Sequence, residues 1–170
     1  MFVDAIRALF RSESSEQPIP APTRSDGSPV DPLHLAACAL LVEVAWADGE
    51  FSVIELEHLE GALERHFGLP AGAGRELIGL AEAERRHSID HFQFTTVLRR
   101  NYDLAQKMVL AEVMWGLVLA DGRIFEHEHY LTRKITNLLE LEPAHLSEAK
   151  ALAATAAAGG PAAPDSGPGR

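Results

Sequence analysis

Four carboxylates stand in a repeated pattern. Ala47-Asp48-Gly49-Glu50-Phe51 is followed by Glu55, and Ala120-Asp121-Gly122-Arg123-Ile124 is followed by Glu128. In both copies the glutamate comes seven positions after the aspartate, and the copies lie 73 residues apart. Carboxylates brought together from two corners are hard oxygen donors, suited to calcium, magnesium or manganese rather than zinc. Asp48, Glu55, Asp121 and Glu128 are therefore the candidate ligands of a divalent cation. An ion held this way could also activate a bound water, as in a metal-dependent hydrolase. An EF-hand is excluded, because counting Asp48 as the first loop position puts Leu59 at the twelfth and no glycine at the sixth. His127 and His129 flank Glu128 but are two apart on a helix, which suits surface or packing roles better than a shared ion.

The same residues admit a plainly structural account. Asp-Gly makes a good turn, with the glycine free to take the left-handed conformation. Ser52-Val53-Ile54-Glu55 reads as a capping box, which accounts for Glu55. Glu128 has Phe125 where Glu55 has Ser52, so capping does not account for it. The aspartates are read as closing long apolar helices, where the partial negative charge of the helix end disfavours them by a few tenths to about 1 kcal/mol. A cation, an arginine or water would compensate. Glu43 and Glu112 are lone carboxylates in apolar helices and call for partners; Arg99, Arg100 and Arg133 are candidates. If all these acids form ion pairs, the chain is a metal-free structural adaptor.

The elements that must position the carboxylates are helical. Asp31 and Pro32 start a helix that runs to about Asp48 and is apolar nearly all round, hence buried on several sides. A second begins near Ser52 and ends at the C-cap Gly68; a third spans about Ala71 to Arg86; Ser88 caps a fourth. Asp103 opens a fifth with Met108, Val109, Val113, Met114, Leu117 and Val118 inward. A sixth follows the second Asp-Gly turn, and Pro143 opens a seventh. No segment alternates with period two, so no sheet is expected. The expected fold is all-α, a compact bundle of about seven helices with an internal pseudo-twofold repeat of helix–turn–helix corners.

Around this core the composition changes. Residues 1–11 form a short amphipathic stretch with Phe2, Ile6, Leu9 and Phe10 on one face, expected to dock on the body as a terminal helix or else to meet a partner or a membrane surface weakly. Residues 12–30 read as a disordered Pro-rich linker, 31–152 as the helical domain, and 153–170 as a disordered Ala/Gly/Pro tail. The 170-residue chain is 46% apolar and 24% charged, as globular domains are, and its single cysteine, Cys38, excludes an internal disulfide. A net charge of −10 argues against nucleic acid as a partner. No apolar run approaches the roughly 20 residues of a membrane span, and no secretory leader is legible. Nucleophile elbows, phosphate loops, His-Glu-x-x-His and Cys-x-x-Cys are missing from the sequence, so the expectation is a non-enzyme.

An apolar helix, Ala-Asp-Gly, an apolar plug and a glutamate seven positions on, twice over in a helical chain, resembles the tellurite-resistance TerB family and the related N-terminal domains of DnaJ-like membrane co-chaperones. The resemblance covers roughly Pro32 to Ser147. It is carried by Val44-Ala45-Trp46-Ala47-Asp48-Gly49-Glu50, His66-Phe67-Gly68-Leu69, Phe94-Thr95-Thr96-Val97-Leu98 and the stretch from Glu112-Val113-Met114-Trp115 through Ala120-Asp121-Gly122-Arg123. It implies a bacterial, cytoplasmic stress-response protein, often near the inner membrane, that works with a protein partner. It also implies a divalent-metal site at the positions of Asp48, Glu55, Asp121 and Glu128. Arg123 against Glu50 departs from an equal pair of corners.

Overall fold

The structure, a computed structural model, describes residues 22–87, 91–120 and 126–158, excepting the side chains of residues 87, 91–93 and 126–129. Seven helices follow in order among the described residues: α1 Pro32–Ala45, α2 Val53–Phe67, α3 Ala73–His87, α4 His91–Asn101, α5 Leu104–Ala120, α6 Glu126–Leu138 and α7 Pro143–Ala158. The described residues contain no strand; one isolated bridge joins Thr23 and Pro29. This is the expected all-α bundle. The repeat's second turn, and with it the expected pseudo-twofold pairing of corners, lies outside the described residues.

Helices α1 and α5 form the centre. Leu35 through Val42, Val44 and Ala45 are all buried except Glu43, so α1 presents apolar surface in every direction. It is covered by α3, α4 and α5, with smaller contacts to α2 and α6. Leu110, Ala111 and Val113 to Val118 are buried on α5, which packs on α7, α2, α1 and α6. Cys38 is fully buried, and desolvation pushes its thiol far above the ordinary range, so it is inert packing. The outer helices bury one face each.

The helix ends follow the capping rules. The Asp31 carboxylate accepts from the Leu33 N–H at 2.8 Å, and Pro32 occupies the first turn. Ser52 and Glu55 form the full capping box of α2. Asp103 and Gln106 form another at α5, with reciprocal bonds of 2.8 and 2.9 Å. Gly68 closes α2 at φ 63°, and the Leu69 N–H reaches back to the Glu64 carbonyl at 3.1 Å. Glu140 does the same for α6 at φ 61°, with the Leu141 N–H on the Thr136 carbonyl at 3.2 Å, although glutamate carries a Cβ that this conformation disfavours.

Three boundaries differ from the sequence expectation. Helix α1 stops at Ala45, three residues before Asp48. Residues 22–30, read as part of a linker, form a hydrogen-bonded loop: Val30 N–H to Pro22 carbonyl at 2.8 Å, Arg24 N–H to Ser28 carbonyl at 2.9 Å, and Ser25 onto Glu76 of α3. Val30 is buried, so local bonds and one anchor hold a stretch whose composition alone argued for disorder. Helix α7 continues through Ala158 instead of ending near residue 152, because alanine has the best helix propensity and Ala153 packs inward. Residues 1–21 and 159–170 lie outside the described residues.

Gly116 lets α5 approach α2: a Cβ there would stand 2.4 Å from His58 Nε2. Gly116→Ala should therefore destabilise the protein by about 1–3 kcal/mol in denaturant unfolding. In a His58→Ala background the same change should gain up to about 1 kcal/mol, the helix-propensity difference. Glu140→Gly should stabilise by about 0.5–1 kcal/mol, because the exposed Glu140–Arg99 pair that it removes contributes little.

Candidate functional site

The first carboxylate corner, residues 46–52, joins α1 to α2. Trp46 holds it against α3. Its indole N–H donates to Glu82 at 3.1 Å, the Arg85 guanidinium lies 5.2 Å above its ring, and Phe51 meets it edge-on at 6.1 Å. Arg85 also pairs with Glu43 at 2.8 Å, so an arginine not singled out in the sequence answers the lone carboxylate of α1. Trp46 is only partly buried, as this half-polar setting requires. Trp115 is in the core, with the Lys150 ammonium 4.9 Å from its ring.

Asp48 and Glu55 lie at this corner, and backbone N–H groups orient both. Asp48 is exposed; its Oδ1 accepts from the Glu50 N–H at 2.9 Å, an Asx turn that Gly49 completes at φ 93°. Because α1 has already ended, Asp48 is not the misplaced charge on a helix terminus that the sequence suggested. Glu55 is buried, and its Oε2 accepts from the Ser52 N–H at 2.8 Å. Asp121 lies outside the described residues, as do the side chains of Glu128, His127 and His129, so the meeting of the two corners is not on view. Among the described residues no group of three or more His, Cys, Asp and Glu side chains is placed to hold a metal.

A second site lies at the other end of α1 and α2, about 20 Å away along α1. The start of α1, the end of α2 and the start of α5 enclose a cavity of about 280 Å³. Leu41, Leu63, Leu110 and Val113 form its apolar floor, and Asp31, His34, His66, Tyr102 and Gln106 supply its polar groups. The His34 ring stacks on Phe67 at 4.4 Å and 6° between planes, with His34 Nε2 4.0 Å from Asp31 Oδ2. A smaller cavity of about 210 Å³ lies on the far side of Asp31 and His34, under the 22–30 loop.

The electrostatics keep the imidazoles and the phenol of this pocket uncharged near pH 7. Burial lowers the pKa of His34 against the opposing pull of Asp31, and burial followed by Arg65 lowers that of His66 against Glu112. Burial, and then Asp31, pushes the Tyr102 phenol up to about 12. Two neutral imidazoles, a phenol and an amide over an apolar floor can hydrogen-bond the polar end of an otherwise apolar group. Sequence reading missed this site: the histidines look scattered along the chain. The available signal is that His34 follows a helix cap and His66 precedes one, both on helices with buried apolar faces.

An all-helical domain is the class that the fold defines, and among its described residues no helix is long and apolar enough to cross a membrane. The family model described as tellurite resistance protein TerB matches residues 34–151, most of the described bundle, and the chain belongs to that family. No curated protein and no solved structure matches it.

The three shifted histidines fix the sign of a pH dependence. Burial holds His34, His58 and His66 below the ordinary imidazole value, so the unfolded chain takes up protons first. Their contribution to stability is complete above about pH 6.5 and is lost as pH falls through the lower folded values. The melting temperature should fall between about pH 7.5 and pH 5.5, and His34→Gln should flatten part of that slope in calorimetric scans.

Proposed function

We propose that this chain is a non-enzymatic binding module of the tellurite-resistance family, and that it recognises its ligand or protein partner through the pocket between α1, α2 and α5. The observation that carries this reading is an apolar cavity on which two imidazoles and a phenol, uncharged near neutral pH, converge beside the Asp31 carboxylate. Catalysis needs a nucleophile or base poised against a partner. Here Asp31 is engaged in capping α1 and His34 is stacked on a phenylalanine. The pocket suits selection of an apolar group by shape and by one or two hydrogen bonds.

A second reading, compatible with the first, concerns the carboxylate corners. Asp48 and Glu55 fit a calcium, magnesium or manganese ion in kind, since both offer carboxylate oxygens. Each is oriented by a backbone N–H, as ligand carboxylates commonly are. The complete set would be Asp48, Glu55, Asp121 and Glu128, with the ion tying the α1–α2 corner to the α5–α6 corner. The family resemblance, rather than a gathered cluster, is the support for this site. The metal-free adaptor is its alternative.

The two readings separate experimentally. Indole, a probe of suitable size and polarity, should saturably shift the ring signals of His34 and His66 in NMR titration. Ala105→Trp, at the exposed mouth of the pocket, should weaken that binding at least about tenfold, equivalent to about 1.4 kcal/mol. No saturable shift would refute the pocket reading. Calorimetric titration of the chelator-stripped protein with calcium, magnesium or manganese should release or absorb heat, and the Asp48→Asn, Asp121→Asn variant should abolish the signal. Absence of heat in the parent protein would favour the adaptor.

A further inference from the structure

We propose that the pocket between α1, α2 and α5 takes a small aromatic amine, with the ring on the apolar floor and the ammonium group on the Asp31 carboxylate. This inference names a ligand class for the pocket reading and rests on that reading.

The charge of the lining is one-sided. Among the described residues that line the cavity, Asp31 is the one acidic side chain, and none is lysine or arginine. An ammonium group entering here meets an opposite charge, whereas a carboxylate or phosphate meets a like one. The Asp31 carboxylate has acceptor capacity to spare. Its Oδ1 takes the Leu33 N–H at 2.8 Å in capping α1, and its Oδ2 stands 4.0 Å from His34 Nε2, beyond hydrogen-bond distance. Arg24 lines the smaller cavity on the far side of Asp31, but its Nε donates to Ser28 at 2.7 Å and lies 3.8 Å from Asp26, so its charge is answered within its own loop. The field of Asp31 reaches the other polar groups of the pocket. After burial it is the second cause that raises the Tyr102 phenol, and it opposes the effect of burial on His34.

The apolar part of the pocket fits a ring. A cavity of about 150 Å³ suffices for benzene. The roughly 280 Å³ here takes a two-ring system with a short arm. Leu41 and Leu63 of the floor are buried, while the Asp31 side chain is half exposed, so the cavity runs from a dry end to a wet, anionic one. An amine on a rigid hydrocarbon body has the same gradient. The stacked rings of His34 and Phe67 set a planar wall between the two ends. A ring loses less conformational freedom against such a wall than a flexible aliphatic amine would, which favours the aromatic ligand.

The test uses the full chain and three ligands that share an indole ring and an arm of nearly equal length. Tryptamine carries an ammonium, tryptophol a neutral hydroxyl and indole-3-acetate a carboxylate. In NMR titrations read on the His34 and His66 ring signals near pH 7, tryptamine should bind about fivefold more tightly than tryptophol, as suits an ion pair at a half-exposed carboxylate. Indole-3-acetate should bind more weakly than tryptophol. About 1 M sodium chloride should reduce the tryptamine advantage to less than about twofold. Asp31→Asn keeps an equally good helix cap while removing the charge, and it should bind tryptamine and tryptophol alike. Equal affinities of the three ligands for the parent protein would overturn the proposal and leave the pocket reading intact. A tryptamine advantage that survives Asp31→Asn would belong to the general negative charge of the chain, −10, and would overturn it as well. If Asp31→Asn does not fold, the order of the three ligands and its salt dependence in the parent protein decide. No saturable shift with any of the three would refute the pocket reading itself, and this inference with it.

Discussion

The structure depends on the burial of a helix with no polar face. Helix α1 has apolar or small residues on every side, and almost all of them are inaccessible to water. Each fully buried leucine contributes about 1.5–3 kcal/mol relative to exposure. No single neighbouring helix can cover a cylinder, so α3, α4 and α5 must surround it, with α2 and α6 closing the remaining angles. The second apolar helix, α5, is itself covered by α2 and α7. Gly116 and the small residues of α7 let these contacts close, Gly116 beneath the His58 ring and Ala149 and Ala153 against α5. The outer helices need only one apolar face, and their composition reflects that.

This hierarchy explains which features were legible in the sequence. Caps are local, and their residue types follow from a few backbone N–H and carbonyl groups at each end. Asp31 with Pro32, Ser52 with Glu55, Gly68 and Asp103 could therefore be placed from sequence alone. Features decided by distant contacts could not. Helix α1 stops at Ala45 while Trp46, just beyond it, reaches Glu82 and Arg85 on α3; nothing within residues 40–50 announces those partners. The same distance hid the ion pair of Glu43 with Arg85, 42 positions along the chain. The loop at 22–30 looked like linker because proline and serine content reports low burial, whereas its order comes from backbone bonds across the loop and from Glu76.

The candidate sites divide in the same way. The carboxylate repeat is visible in the sequence because it is local, and the structure gives its first half local work: an Asx turn for Asp48 and a capping box for Glu55. Those roles account for the described half of the pattern without an ion, and the Asx-turn bond of Asp48 does not conflict with one, since a carboxylate offers about four lone-pair sites. The pocket was not legible. Its two histidines are 32 residues apart and come together only because α1 and α2 run past each other, bringing the start of one beside the end of the other.

That geometry also makes the pocket rigid where it matters. Its polar groups sit at helix ends whose conformations are already fixed. Asp31 is held by the Leu33 N–H, His34 by stacking on Phe67, and His66 by a terminus that Gly68 closes. Gln106 is fixed through its exchange of hydrogen bonds with Asp103. A group entering the cavity therefore meets donors and acceptors whose ordering has been achieved in folding, so little further entropy is lost on binding. The carboxylate corner differs in this respect, because Asp48 is exposed on a turn and Glu55 is buried beside it. Preorganisation, more than the number of polar residues, favours the histidine-lined end of α1 over the carboxylate corner as the proposed binding site.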